Sequence, residues 1–113
     1  MNKVINMIVF AVLSAVLPVT PAIAGKVDAK AARALFATNT CDSCHAANAR
    51  TTGPSLKEIA KRYQGKSVEK ELGERIRSGS TGRWGDMAHP SYEAMDAQEA
   101  ELMAKWILGG APK

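Results

Sequence analysis

The chain has 113 residues and a formal charge of +4; 46% of it is hydrophobic, and it holds two cysteines and two histidines. That length bounds it to one modest domain, and so few soft ligands, with Cys44 and His45 as neighbours, exclude a four-ligand structural zinc site. The basic balance raises nucleic-acid binding, but there is no Lys/Arg run and little aromatic interleaving, so the excess reads as a solvated, mildly positive face.

Met1 to Ala24 reads as a signal peptide. Lys3 supplies a positive start, Val4 to Leu17 is a nearly unbroken apolar run, and Ala22-Ile23-Ala24 is a small-x-small cleavage site. Pro18 and Pro21 break the run before it reaches the roughly 20 apolar residues of a spanning helix. Cleavage before Gly25 leaves residues 25–113, about 90 residues, as one small domain whose apolar core is marginal on its own. Loss of Lys3 lowers the charge to about +3. Most of the Lys and Arg lie in 26–83, whereas 86–101 carry acids and no base.

Helical signals then dominate. Asp28 is placed to cap a helix with Ala31, Ala32, Leu35 and Phe36 on one apolar side, ended by Thr38-Asn39-Thr40. Next comes Cys41-Asp42-Ser43-Cys44-His45, and in an exported chain a Cys-x-x-Cys-His run reads as a c-type haem attachment site. Each thiol can add to one haem vinyl group, and the adjacent imidazole then lies under the iron. A thioredoxin-like pair would bring a βαβ pattern, which is missing here, and a plain Cys41–Cys44 disulfide leaves His45 without a role. A covalently held haem would also supply the buried surface that so small a core lacks.

A polar loop, Ala46 to Thr52, leads to Gly53-Pro54. Ser55 caps a helix to about Tyr63, with Leu56, Ile59, Ala60 and Tyr63 at helical spacing; Gln64-Gly65-Lys66 breaks it. Ser67 starts a further helix through Leu72 and Ile76 to Ser78-Gly79. Residues 79–95 are rich in Gly, Pro, Ser and Met and have no sustained period. Asp96-Ala97-Gln98-Glu99 resembles a capping box and opens the strongest helix, with Leu102, Met103, Trp106 and Ile107 as its buried stripe. No strand alternation appears. The class is all-α, with four or five short helices and long loops.

Together these residues resemble the small bacterial class I, monohaem cytochromes c, the short periplasmic electron-carrier type. The resemblance covers nearly all of 25–113: Leu35-Phe36 before the Cys41 motif, Gly53-Pro54 after it, Gly82-Arg83-Trp84-Gly85, and Lys105-Trp106-Ile107-Leu108. It implies the class I fold wrapped around one haem c joined to Cys41 and Cys44, with Phe36 meeting Trp106 where the first and last helices cross. His45 is the implied axial ligand, its Nδ1–H held by the Pro54 carbonyl. Arg75 and Trp84 fall where the family binds a haem propionate. The sixth ligand is where the sequence departs. After Trp84-Gly85 the family reaches a ligating Met followed by Pro, but here the matching position holds His89, followed by Pro90. Met87 lies two residues before it and Met95 six after, so His89 is preferred, with Met87 next and Met95 behind.

The implied function is one-electron Fe(III)/Fe(II) cycling between periplasmic redox proteins as donor and acceptor. The carrier is expected to be monomeric, with no membrane anchor after cleavage, no nucleic-acid partner and no enzymatic activity. Two alternatives stand: a ligand-binding or sensor haem protein with a displaceable sixth ligand, and the haem subunit of a periplasmic oxidoreductase complex. Beyond the haem site no nucleophile–base pair or phosphate loop is visible.

Overall fold

The computed structural model describes residues 15–17 and 26–113. The expected signal peptide lies outside the described residues, apart from the exposed stretch 15–17. Among the described residues there are four α-helices and no strand: α1 (Ala29–Thr38), α2 (Leu56–Arg62), α3 (Glu69–Ser78) and α4 (Ala97–Leu108), with a 3-10 turn at Cys41–Ser43. None of these helices is long and apolar enough to cross a membrane.

The helix starts follow the side chains that satisfy their first amides. The Asp28 carboxylate accepts from Ala31 N at 2.9 Å. Ser55 and Asp96 each form a full capping box, with Glu58 and Glu99 reaching back to the cap amide. Such caps each contribute about 0.5–2 kcal/mol. The expected start at Ser67 is corrected. The first helical bond of α3 runs from Leu72 N to Val68 O at 2.7 Å, so Val68 is the cap and α3 opens at Glu69. The Ser67 hydroxyl lies one residue too early to serve the free amides.

α4 is the hub on which α1, α2 and α3 all pack. Ala100, Met103, Ala104, Trp106 and Ile107 are buried along it, while Leu102 is partly buried at the edge of the stripe. The Phe36 and Trp106 rings meet edge-on with centroids 5.6 Å apart, which joins α1 to α4 as expected. Such a pair contributes about 0.5–1.5 kcal/mol beyond its buried area. The Trp106 indole N–H donates to Pro112 O at 2.9 Å and pins the chain end. α3 comes close to α4 because Gly73 has no side chain: a Cβ there would lie 3.0–3.1 Å from the backbone of Ala100 and Glu101.

A candidate haem site between two histidine loops

At its C-terminus α1 is closed by Asn39, whose side-chain amide donates to Leu35 O at 2.8 Å. Thr40 then adopts a left-handed conformation, φ 55° and ψ 29°, and turns the chain into Cys41–Ser43. For a β-branched residue this costs about 1–2 kcal/mol. The turn brings Cys41, Cys44 and His45 to one wall of a cavity, and both thiols are free.

The loop after His45 folds back onto it. Gly53 N and Thr51 Oγ1 both donate to Cys44 O at 2.8 Å, and Leu56 N donates to Ala46 O at 3.0 Å. Buried Pro54 is thereby placed so that its carbonyl oxygen accepts from His45 Nδ1 at 2.7 Å, the bond expected from the sequence. A carbonyl has no proton to give, so Nδ1 carries the hydrogen and Nε2 keeps its lone pair. Gly53 is required here by space. A Cβ would stand 2.9 Å from His45 Cε1 and 3.2 Å from Cys44 O.

On the opposite strand of chain, 79–90, the histidine is held in a parallel way. Ser80 and His89 form an isolated antiparallel bridge, with His89 N donating to Ser80 O at 2.7 Å and Ser80 N to His89 O at 3.2 Å. Gly79 allows it. Its φ of 78° and ψ of 172° belong to a region essentially reserved for glycine, and a Cβ would lie 2.8 Å from His89 O. His89 Nδ1 donates to Pro90 O at 2.8 Å. Burial holds the His89 imidazole below its ordinary value, which favours the neutral ring. Its ring centre lies 6.1 Å from that of His45, with the planes inclined by 33°.

The residues singled out in the sequence converge. Cys41, Cys44, His45, Pro54, Arg75, Trp84, Met87 and His89 all line this one cavity. Met95 does not. It is a core residue, and its carbonyl accepts from Arg77 Nε at 2.9 Å, so the expectation that kept it as a third ligand candidate is corrected. Met87 lies on a loop tip and is 67% exposed. Arg75 is mostly covered, donates to the Tyr63 hydroxyl at 3.2 Å and pairs with Glu71. Trp84 meets Tyr63 edge-on at 6.4 Å and lies under two guanidiniums, that of Arg62 at 4.2 Å and that of Arg50 at 5.9 Å.

Sequence reasoning passed over three contributors. These are Gly79, the Arg62–Trp84–Tyr63 stack, and Tyr92, whose ring lies 6.0 Å from that of His89. Gly79 reads in the sequence only as the end of a helix, and nothing there shows that it faces the His89 carbonyl. The stack leaves no signal, because Trp84 is far along the chain from the adjacent pair Arg62 and Tyr63.

The walls suit a flat apolar macrocycle with a charged rim. Leu56, Ile59, Met103 and Ile107 belong at once to the hydrophobic core and to the cavity lining, so the core is open where a haem would complete it. Two free thiols and an imidazole with its Nε2 lone pair available are the donor set that a c-type haem requires.

Comparison with known proteins identifies the family. The family model described as cytochrome c matches residues 29–111. The chain is 39% identical over 75 residues to cytochrome c-551 of Pseudomonas aeruginosa, covering 66% of this chain and 71% of that protein. It is 35% identical over 75 residues to cytochrome c-551 of Azotobacter vinelandii, covering 66% and 90%. The crystal structure of wild-type Nitrosomonas europaea cytochrome c552 superposes with a TM-score of 0.63 at 34% identity, over 67% of this chain and 95% of that one. With the fold, the Cys41-to-His45 motif and these relatives in accord, the chain belongs to the cytochrome c family and its cofactor is one haem c bound covalently through Cys41 and Cys44.

Proposed function

We propose that this protein is a periplasmic electron carrier, exported by residues 1–24 and working as residues 25–113, in which His45, held by the Pro54 carbonyl, would ligate the haem iron. The observation that carries the reading is the convergence of two free thiols and a tautomer-fixed His45 on one apolar cavity. A haem bound there supplies one-electron Fe(III)/Fe(II) chemistry with no covalent change in a substrate. The protein's part is to hold that group still, keep water from most of it, and leave one edge for outer-sphere transfer. The Pro54 carbonyl keeps Nδ1 protonated, directs the lone pair to Nε2 and raises the basicity of that nitrogen. Trp84, with its indole N–H, and Arg75, on the cavity wall beside Tyr63, are the donors assigned to the haem propionates. Arg50, Arg62 and the exposed Arg83 give this side of the molecule a positive face suited to an acidic redox protein.

The experiment is direct. Holoprotein made in a periplasm, denatured and extracted with acidic organic solvent, should keep its haem on the chain and should show a single reversible one-electron couple by film voltammetry. Haem that extracts freely overturns the reading. The second-order rate of transfer to an acidic partner should fall as salt is raised and the screening length shortens to about 3 Å at 1 M. A rate flat in salt would assign docking to apolar contacts at the haem edge instead.

A further inference from the structure

His45 and His89 are the only histidines in the chain, and the fold gives them one construction twice. Each backbone is paired in an isolated antiparallel bridge, His45 with Arg50 and His89 with Ser80. In each case a glycine makes room, Gly53 against the ring of His45 and Gly79 against the carbonyl of His89. Both rings give their Nδ1–H to a proline carbonyl, Pro54 at 2.7 Å and Pro90 at 2.8 Å. Both therefore keep the Nε2 lone pair, and both line the same cavity.

The ring separation has a meaning of its own. Two imidazoles on opposite sides of one metal, each bonded at about 2 Å with its ring centre about 1.1 Å behind the nitrogen, have centres about 6 Å apart. The observed separation is 6.1 Å. Aromatic packing also spans 4.5–7 Å, and the His89–Tyr92 pair, at 6.0 Å, is of that kind. Packing alone, however, asks neither for a fixed tautomer nor for a paired backbone on both partners. Met87, the competing donor on the wall, lies on an open loop and is 67% exposed.

We infer that His89 is the second axial ligand, so that the single haem is held between two histidines. This rests on the haem reading above and deepens it. Gly79 is then a positioning residue, since it lets the His89 backbone lie against Ser80. Imidazole in place of a thioether favours the oxidised iron and a lower reduction potential.

Oxidised holoprotein should be low-spin and should lack the near-infrared sulfur-to-iron charge-transfer band. Reduced wild-type protein should resist CO. His89→Ala should lose the low-spin signature at neutral pH and open the reduced iron to CO, with the haem still covalently attached, while Met87→Ala changes neither. If His89→Ala fails to fold, His89→Met decides: a ligating position gains the sulfur band and a higher potential, and a non-ligating one gains neither. A sulfur band in the wild type that disappears in Met87→Ala overturns the inference and leaves covalent attachment standing. Haem that extracts from the wild type overturns the attachment reading itself, so the two failures are distinct.

Discussion

The loop behind His45 and the loop carrying His89 end in the same way, with an imidazole on a cavity wall and Nδ1 on a proline carbonyl, but they are built to different depths. The first has scaffolding on both sides. Pro54 is buried, Cys44 O accepts two bonds from the returning chain, and the α2 capping box begins at the very next residue, Ser55. The second leans on its own neighbour. His89 bonds to Pro90, the Ser80 bridge ties the loop base to the end of α3, and the tip around Met87 is exposed. Few buried apolar contacts and solvent-exposed backbone bonds mark segments that open locally at small free-energy cost. One side of the site is therefore set by the fold, and the other is held by a clamp.

The largest effect should come from breaking the deep side. Cys41→Ala, Cys44→Ala or His45→Ala should leave little folded holoprotein, because a domain of about 90 residues has a marginal core without its cofactor. His89→Ala should still accumulate with covalent haem, at a yield within a few-fold of wild type. The check is haem staining of denatured protein on a gel, normalised to chain. Equal loss from His45→Ala and His89→Ala would erase the asymmetry between the loops.

The two glycines sharpen the same contrast. Gly53→Ala drives a methyl into His45 Cε1 and Cys44 O. Overpacking of this kind costs typically about 1–3 kcal/mol, and here it falls on the ligand that haem attachment uses. Gly79→Ala enters a backbone region that costs about 1–3 kcal/mol outside glycine, and its Cβ would press on the backbone of His89, Pro90 and Ser91 rather than on His45. Thermal unfolding of Gly79→Ala should fall by about 4–8 °C per kcal/mol. If His89 is the ligand, its spectrum should move towards that of His89→Ala. Gly53→Ala should instead lower the holoprotein yield.

How much of this was legible in the chain follows from how local each signal is. The Cys41–His45 motif, the caps at Asp28, Ser55 and Asp96, and the α4 stripe are short-range patterns, and each recurs in the structure. The Pro54 acceptor and the Phe36–Trp106 contact span longer separations. They came from the family resemblance rather than from periodicity, and both geometries are present. The α3 start was misplaced because Ser67 is a good cap by type, yet the first helical carbonyl belongs to Val68. Gly73 and Gly79 were passed over as functional positions because their importance lies in what faces them from α4 and from His89, and sequence spacing does not carry that.

Gly73 supplies a control away from both loops. Gly73→Ala places a Cβ 3.0–3.1 Å from the Ala100 and Glu101 backbone. The strain of about 1–3 kcal/mol is offset by up to about 1 kcal/mol of gained helix propensity. The net fall in stability should be smaller than for Gly79→Ala, and the haem spectrum should not move. A spectral change in Gly73→Ala would mean that α3–α4 packing, rather than the clamp at Gly79, sets the His89 position.

The smallest effects should come from the two capping boxes, and they differ by burial. Ser55 is 1% exposed and lies next to Pro54, whereas Asp96 caps α4 in the open. Ser55→Ala should cost towards the upper end of the roughly 0.5–2 kcal/mol range for caps and Asp96→Ala towards the lower. The Ser55 box also carries a pH signature. Glu58 accepts from Ser55 N at 2.7 Å and pairs with Arg50, and its carboxyl is held below the ordinary 4.5, chiefly by that backbone hydrogen bond. A carboxylate depressed in the folded state stabilises it above its unfolded pKa, and that contribution is lost as pH falls through the folded value. Acid should therefore loosen the start of α2, the segment that holds the Pro54 carbonyl against His45, in the range below about pH 4.5. Glu58→Gln should lower stability at neutral pH and flatten the decline in acid, with both proteins converging at low pH. A Glu58→Gln curve that runs parallel to wild type through the acid range would show that the cap contributes no linked proton, and that the deep side owes its hold to the Cys44 and Pro54 backbone bonds alone.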